Sequence, residues 1–189
     1  MDNVLDNFRF LTIEAENQVK LTYGLLTSFN VRVLEKINAK DDYIDNLKTT
    51  IENNCFSTIH ASGGALAQKE LNDIRALHVM ALNLERIADF CVNIGRQTRY
   101  LSDLSILADY DFGSMFSEIQ KAVNQISGVF TAKDLNGALA ICRSEFRLDF
   151  LYKYNFDHIM ARLKSGKQAT DLVTAIFISG TWNASAIPS

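Results

Sequence analysis

A single proline, Pro188, in a chain of 189 residues does more than any motif to limit the fold. Proline ends helices by removing a donor and clashing with the preceding turn, and glycine loosens them. Here the proline sits beside the end and the nine glycines are widely spaced, so long stretches carry no breaker. Such a chain can build long helices and little else. The expected fold class is all-α.

Hydrophobic periodicity divides the chain into six segments. A first helix is expected from Val4 to Val33 or beyond, with Leu11, Ala15, Val19 and Leu26 at helical spacing. Asn38-Ala39-Lys40-Asp41 reads as a turn and N-cap before a second helix carrying Ile44, Leu47, Ile51 and Cys55. Ala61-Ser62-Gly63-Gly64 stops it. A third, long helix from about Ala67 to Leu101 has Ile74, Leu77, Ala81, Leu84, Ala88 and Cys91 as a coiled-coil-like seam. A connector follows. A fourth helix then spans roughly Ser114 to Phe130, a fifth runs from Asp134 to Leu163, and a sixth starts near Gln168. Short turns between antiparallel neighbours give two tandem three-helix bundles, residues 1–105 and 106–189.

Composition narrows the function. A net charge of −3 offers no basic face for nucleic acid. No apolar run reaches the length of a membrane span, and Met1-Asp2-Asn3-Val4 lacks the basic start of a signal peptide. Cys55, Cys91 and Cys142 are single, odd in number and without CxxC spacing, which reads as core-type thiols in a reducing compartment. A cytoplasmic location is expected. His60, His78 and His158 read as helix-surface or boundary residues. No nucleophile–base set and no Gly-rich loop is present, so an enzyme is not expected.

What recurs is a spacing of acids. Asp41 and Asp45, Glu85 and Asp89, and Glu145 and Asp149 each lie four apart. Like charges at that spacing repel by a few tenths of a kcal/mol, about 0.2–0.5, unless a cation lies between them. Two packed helices that each offer such a pair can supply four carboxylates to one hard cation. Arg75 and Arg86 could neutralise the acids as salt bridges instead.

Asp41 to Glu52, Leu71-Asn72-Asp73-Ile74-Arg75, and the run Leu84-Glu85-Arg86-Ile87-Ala88-Asp89 with Asn93-Ile94 resemble the PhoU-domain family over nearly the whole chain. The resemblance implies a regulator of phosphate uptake built as tandem three-helix repeats. It further implies contacts with a phosphate ABC transporter and its sensor histidine kinase, and self-association as a homodimer or larger homo-oligomer. Some members bind multinuclear metal clusters through paired E/D-xxx-D motifs. Carried over by position, Asp41 and Asp45 would join Glu85 and Asp89, while Glu145 and Asp149 would begin a second site. Oxygen donors of this kind suit iron, Mn, Mg or Ca. Ala88 stands where the family pattern has glycine.

The second repeat departs from that pattern. After Ala175-Ile176-Phe177-Ile178-Ser179 the chain reads Gly180-Thr181-Trp182-Asn183-Ala184-Ser185-Ala186-Ile187-Pro188-Ser189, where another LERIxD-like helix belongs. The genetic code suggests a reason. Trp is TGG and Asn begins AA, so a frame displaced by one base reads GAA, a forced Glu. Flanking codons then permit Arg-Tyr-Leu-Glu-Arg-Ile-Gly-Asp-Ser. The expectation is a second repeat truncated or frameshifted from about residue 180, with a weakened or absent second metal site and an uncovered apolar strip. A naturally shortened chain with a disordered tail is the alternative. Two other readings stand beside the regulator: a metal-free helical scaffold, and a histidine phosphotransfer module using His78 or His158. A ferritin-like di-iron site would require Glu-x-x-His on two helices, which the chain lacks.

Overall fold

The first helix ends earlier than the periodicity suggests. In the computed structural model, which describes residues 2–166 and 168–182, α1 spans Asp2–Thr27 and α2 spans Val31–Ala61. Asn30 makes the break: its backbone is extended, and its side-chain oxygen accepts from the Arg32 N–H at 2.9 Å. The expected turn at Asn38–Asp41 lies instead within α2. No glycine or proline occurs between Val31 and Ala61, and Asn or Asp costs a helix interior under about 0.7 kcal/mol each. Burying Leu34, Ile37 and Ile44 on one stripe outweighs that cost. Lys40 of the same stretch pairs with Glu14 of α1.

Gly63 and Gly64, at φ +57° and +87°, turn the chain into α3, Gln68–Gln97. Glu70 accepts from the Ala67 N–H at 3.1 Å and satisfies one free donor at the start of α3. The expected seam is buried in full: Ile74, Leu77, Ala81, Leu84, Ala88 and Cys91. α3 approaches α2 closely at Gly95, where a β-carbon would lie 2.8 Å from Leu34 Cδ1.

Two short 3-10 turns, Thr98–Tyr100 and Leu104–Asp109, lead to α4, Phe112–Ala132. Asp111 caps α4 by accepting from the Ser114 N–H at 3.0 Å. Lys133 in the left-handed conformation then reverses the chain into α5, Leu135–Leu163. The last described helix is α6, Ala169–Thr181. All regular structure among the described residues is helical.

The two sets of three helices share one apolar core. Phe8 of α1 meets Phe130 of α4 edge-on, with ring centroids 6.1 Å apart, and Tyr23 packs on Phe116 at 5.3 Å. Buried polar groups tie the second set to the connector. Asn155 Oδ1 accepts from the Asp111 N–H at 2.9 Å, and Asp171 Oδ1 accepts from the Ser102 N–H at 2.8 Å. A buried carboxylate in the first turn of α6 also suits the positive end of that helix.

The sets differ in their third helix: α3 has 30 residues and α6 has 13. α6 ends on Trp182, buried edge-on against Phe116 and Phe90 at 5.3 and 6.1 Å. Its indole N–H finds no partner among the described residues. Beyond Trp182, a cleft of about 520 Å³ lies between α3, α4 and α5, walled by Met80, Leu84, Ile87, Ile126, Ala138 and Leu148. Cys142 also lines it and is exposed, which corrects its reading as a core thiol. Cys55 and Cys91 are buried as expected. The tail from residue 183 onward lies outside the described residues.

Candidate acidic site between two antiparallel helices

The α3 seam fixes where the third helix shows its acids. With Leu84, Ile87, Ala88 and Cys91 turned inward, Glu85 and Asp89 fall on the shoulder beside α2. On α2, the buried Ile44 leaves Asp41 and Asp45 flanking the same boundary. The two helices run antiparallel, so the pairs face each other in crossed order. Glu85 comes into hydrogen-bond contact with Asp45, and Asp89 presses its charge on Asp41.

The crowding appears in the ionisation of the group. Partial burial lifts the Glu85 carboxyl to about 7, helped by the charge of Asp89 and the contact with Asp45. Asp41 rises to about 6 through burial, then through the charges of Asp89, Asp45 and Asp42. Asp89 is raised by burial and by Asp45. Lys48 opposes the shift at Glu85 and Asp89, and Arg96 opposes it at Asp41 and Asp89. The sequence reading missed both cations, because their positions on the shoulder follow from helix pairing and not from spacing along one helix. Arg86 has an interaction partner of its own in the fold. Net, the patch holds more negative charge than its own cations neutralise, and it retains protons in their place.

The oxygen-only donor set suits a hard cation. Its present arrangement is not a coordination sphere: among the described residues, no three acidic, histidine or cysteine side chains converge closely enough to hold a metal.

The other expected site residues stand differently. Glu145 is half-buried and Asp149 exposed on α5. Among the described residues α6 ends at Thr181, with Gly180 beside the Tyr152 ring, where an added methyl would lie 3.8 Å from Cε2. No second acidic pair faces them among the described residues. Glu52 faces His78 Nε2 at 3.3 Å, away from the cluster. His60 and His158 are exposed, and His158 Nδ1 lies 2.8 Å from the Tyr154 carbonyl.

Comparison with known proteins places this geometry. Residues 13–98, which contain the whole acidic cluster, match the PhoU domain. The chain is 22% identical over 161 residues to the phosphate-specific transport system accessory protein PhoU homolog of Clostridium acetobutylicum, covering 85% of this chain and 73% of that protein. The crystal structure of PhoU from Pseudomonas aeruginosa superposes with a TM-score of 0.81 at 16% identity, over 96% of this chain and 88% of that one. The phosphate transport system regulatory protein PhoU from Streptococcus pneumoniae gives 0.85 at 17% identity, over 98% and 87%. At such identities the superpositions speak to the fold. Among the described residues, no helix is long and apolar enough to cross a membrane.

Proposed function

The chain belongs to the PhoU family, and from that premise we propose that it is an accessory regulator of phosphate transport. It works by contact with other proteins, a phosphate ABC transporter and its sensor histidine kinase, on the cytoplasmic side, and as a homo-oligomer. It catalyses no reaction. The curated relative's role in a phosphate-specific transport system supports this reading.

One observation carries the assignment of a working face. Four carboxylates from two helices, Asp41, Asp45, Glu85 and Asp89, crowd one shoulder, and at least two of them hold protons well above the ordinary carboxylate range. A protein gains nothing in stability from such crowding, so the patch is built for a positive ligand. A divalent cation (Mg, Mn, Ca or iron) drawn to this shoulder would cancel the repulsion of these carboxylates, fewer than three of which converge in the present arrangement. Glu145 and Asp149 have no facing pair and contribute at most a weaker second site.

Metal analysis and calorimetric titration with Mn²⁺ and Mg²⁺ test the assignment, comparing the native chain with Glu85→Gln/Asp89→Asn. Binding that weakens at least about tenfold in the variant supports it, the equivalent of losing roughly one to two ligand contacts. Equal or absent binding in both rejects it. A metal-free helical scaffold is the second reading, favoured by the lack of three converging donors among the described residues. On that reading the acidic shoulder docks a basic segment of the partner, and capture of the transporter would survive chelation.

A further inference from the structure

We propose that the outer face of α5 is where two copies of this chain meet, antiparallel about a two-fold axis at Phe150. The inference rests on the homo-oligomer included in the proposed function and assigns the surface that forms it.

Within the chain, α5 packs chiefly on α4 and α6. Leu148, Leu151, Asn155 and Ile159 turn inward, which leaves the opposite face to water. That face is not the polar one expected of a surface helix. Leu135, Leu139, Phe146, Phe150 and Tyr154 all stand out on it, Phe146 and Phe150 being 74% and 67% exposed and Tyr154 47%. Phe150 and Tyr154 stack with ring centroids 6.5 Å apart, so part of the row is already ordered on the surface.

The order of residues on this face fits a second copy of itself. In an isologous pair each contact occurs twice, residue i on j and j on i. Phe150 lies one residue from the midpoint of Leu135–Leu163, so two copies meeting there overlap along the whole helix. Counting outward from Phe150, the fourth residues are Phe146 and Tyr154, and the seventh are Arg143 and Asp157. Those steps are about one and two helical turns, so all five residues share one face. An antiparallel copy therefore sets ring against ring one turn from the axis, and guanidinium against carboxylate two turns from it. Arg143 and Asp157 are exposed, and neither is in an ion pair among the described residues. The other charges keep to the edges of the row: Arg147 is held by Glu118 at 3.4 Å, and Lys153 follows Asp149 by one turn.

The area is sufficient. An aromatic side chain carries about 150–250 Å², so the three rings alone leave roughly 400 Å² in water on each copy. Pairing covers both sets, about 800 Å², and the leucines and the stems of the flanking charges carry the total past the roughly 1,000 Å² that a specific interface needs. An anionic surface would use the cations of this face but would be repelled by Asp157, which stands in line with the rings. A face that carries both signs at equal distances from its centre is complementary to its own image.

Sedimentation velocity of the full chain over a wide micromolar range tests the pairing, with circular dichroism as the check on folding. The native chain should dimerise. Phe150→Ser, Arg143→Asp and Asp157→Arg should each weaken the dimer by at least about tenfold while helical content stays unchanged. Arg143→Asp/Asp157→Arg restores opposite charges across the two-fold axis and should return the dimer to within about threefold of native. A native chain that stays monomeric overturns both this interface and the homo-oligomer. A dimer indifferent to Phe150→Ser overturns the interface alone, as does a double variant that associates no better than its two single variants. Metal binding at the acidic shoulder is read separately by calorimetry, on a different pair of helices, so its failure and the failure of this interface are told apart.

Discussion

The first three helices and the last three start from the same plan and end in different states. In the first set, α3 runs the full length of α2, its seam from Ile74 to Cys91 is buried, and the acids are brought face to face. In the second, α6 stops level with the middle of α5. Leu135, Phe146 and Phe150 remain 71%, 74% and 67% exposed, and Glu145 and Asp149 meet no facing pair among the described residues. A stripe and an acidic pair are properties of one helix; a core and a site are properties of two. The second set shares the core, but among the described residues its acidic pair lacks the facing pair that would make it a site.

The sharpest way to press this contrast is to truncate one apolar side chain in each set. Ile51 is fully buried in α2, and Ile51→Ala should cost about 3 kcal/mol, in a range of roughly 2–5 for aliphatic-to-alanine changes. Leu135→Ala at the open end of α5 should cost under about 0.5 kcal/mol. Chemical denaturation of both variants checks the difference, and similar losses would mean that the cleft is closed in solution.

Glycine replacements separate the sets by sign. A β-carbon at Gly95 would meet Leu34, so Gly95→Ala should destabilise by about 1–3 kcal/mol. Gly128 in α4 has open space around it, so Gly128→Ala should stabilise by about 0.5–1 kcal/mol. Thermal melts of the two single variants decide this, with opposite shifts expected.

Protonation probes the acidic shoulder. Glu85 keeps its proton up to about 7 and Asp41 up to about 6 in the folded chain, against ordinary values of 4.5 and 3.8. Between those limits the folded state binds more protons than the unfolded one. The stabilisation from these groups is therefore complete below about pH 4 and is lost as pH rises to 7. Melting measured from pH 5 to 7.5 at fixed ionic strength should fall, and Asp89→Asn should flatten the slope by removing a charge that raises both neighbours. A slope unchanged by Asp89→Asn would break the link between the two helices. Divalent cation at pH 7.5 should recover part of the loss on the metal-binding reading.

The smallest effect belongs to the contact between the sets at the mouth of the cleft. Lys133 reaches Asp73 at 2.7 Å and lies over the Phe130 ring. Lys133→Met should cost no more than about 1 kcal/mol, because exposed ion pairs are worth little in water. A larger loss would show that this contact holds the cleft in shape.

The pattern of breakers and apolar residues made the helices legible from the chain alone. Pro188, the sparse glycines and the α3 seam foretold an all-α protein, the stop at Ala61-Ser62-Gly63-Gly64 and the buried face of α3, because these are local consequences of sterics and period. The end of α1 was misplaced for a reason of the same scale: Asn30 and Asp41 both look like caps, and only burial of Leu34 and Ile37 in a packed α2 decides between them. The acidic pairs could be counted in sequence, but their fates could not be distinguished. Glu85 and Asp89 meet Asp45 and Asp41 because two helices of equal length lie antiparallel, with Lys48 and Arg96 reaching the same shoulder. Glu145 and Asp149 look the same along the chain, and among the described residues no acidic pair meets them. Spacing fixes which side chains share a face, whereas charge, burial and ligand binding depend on what that face is packed against.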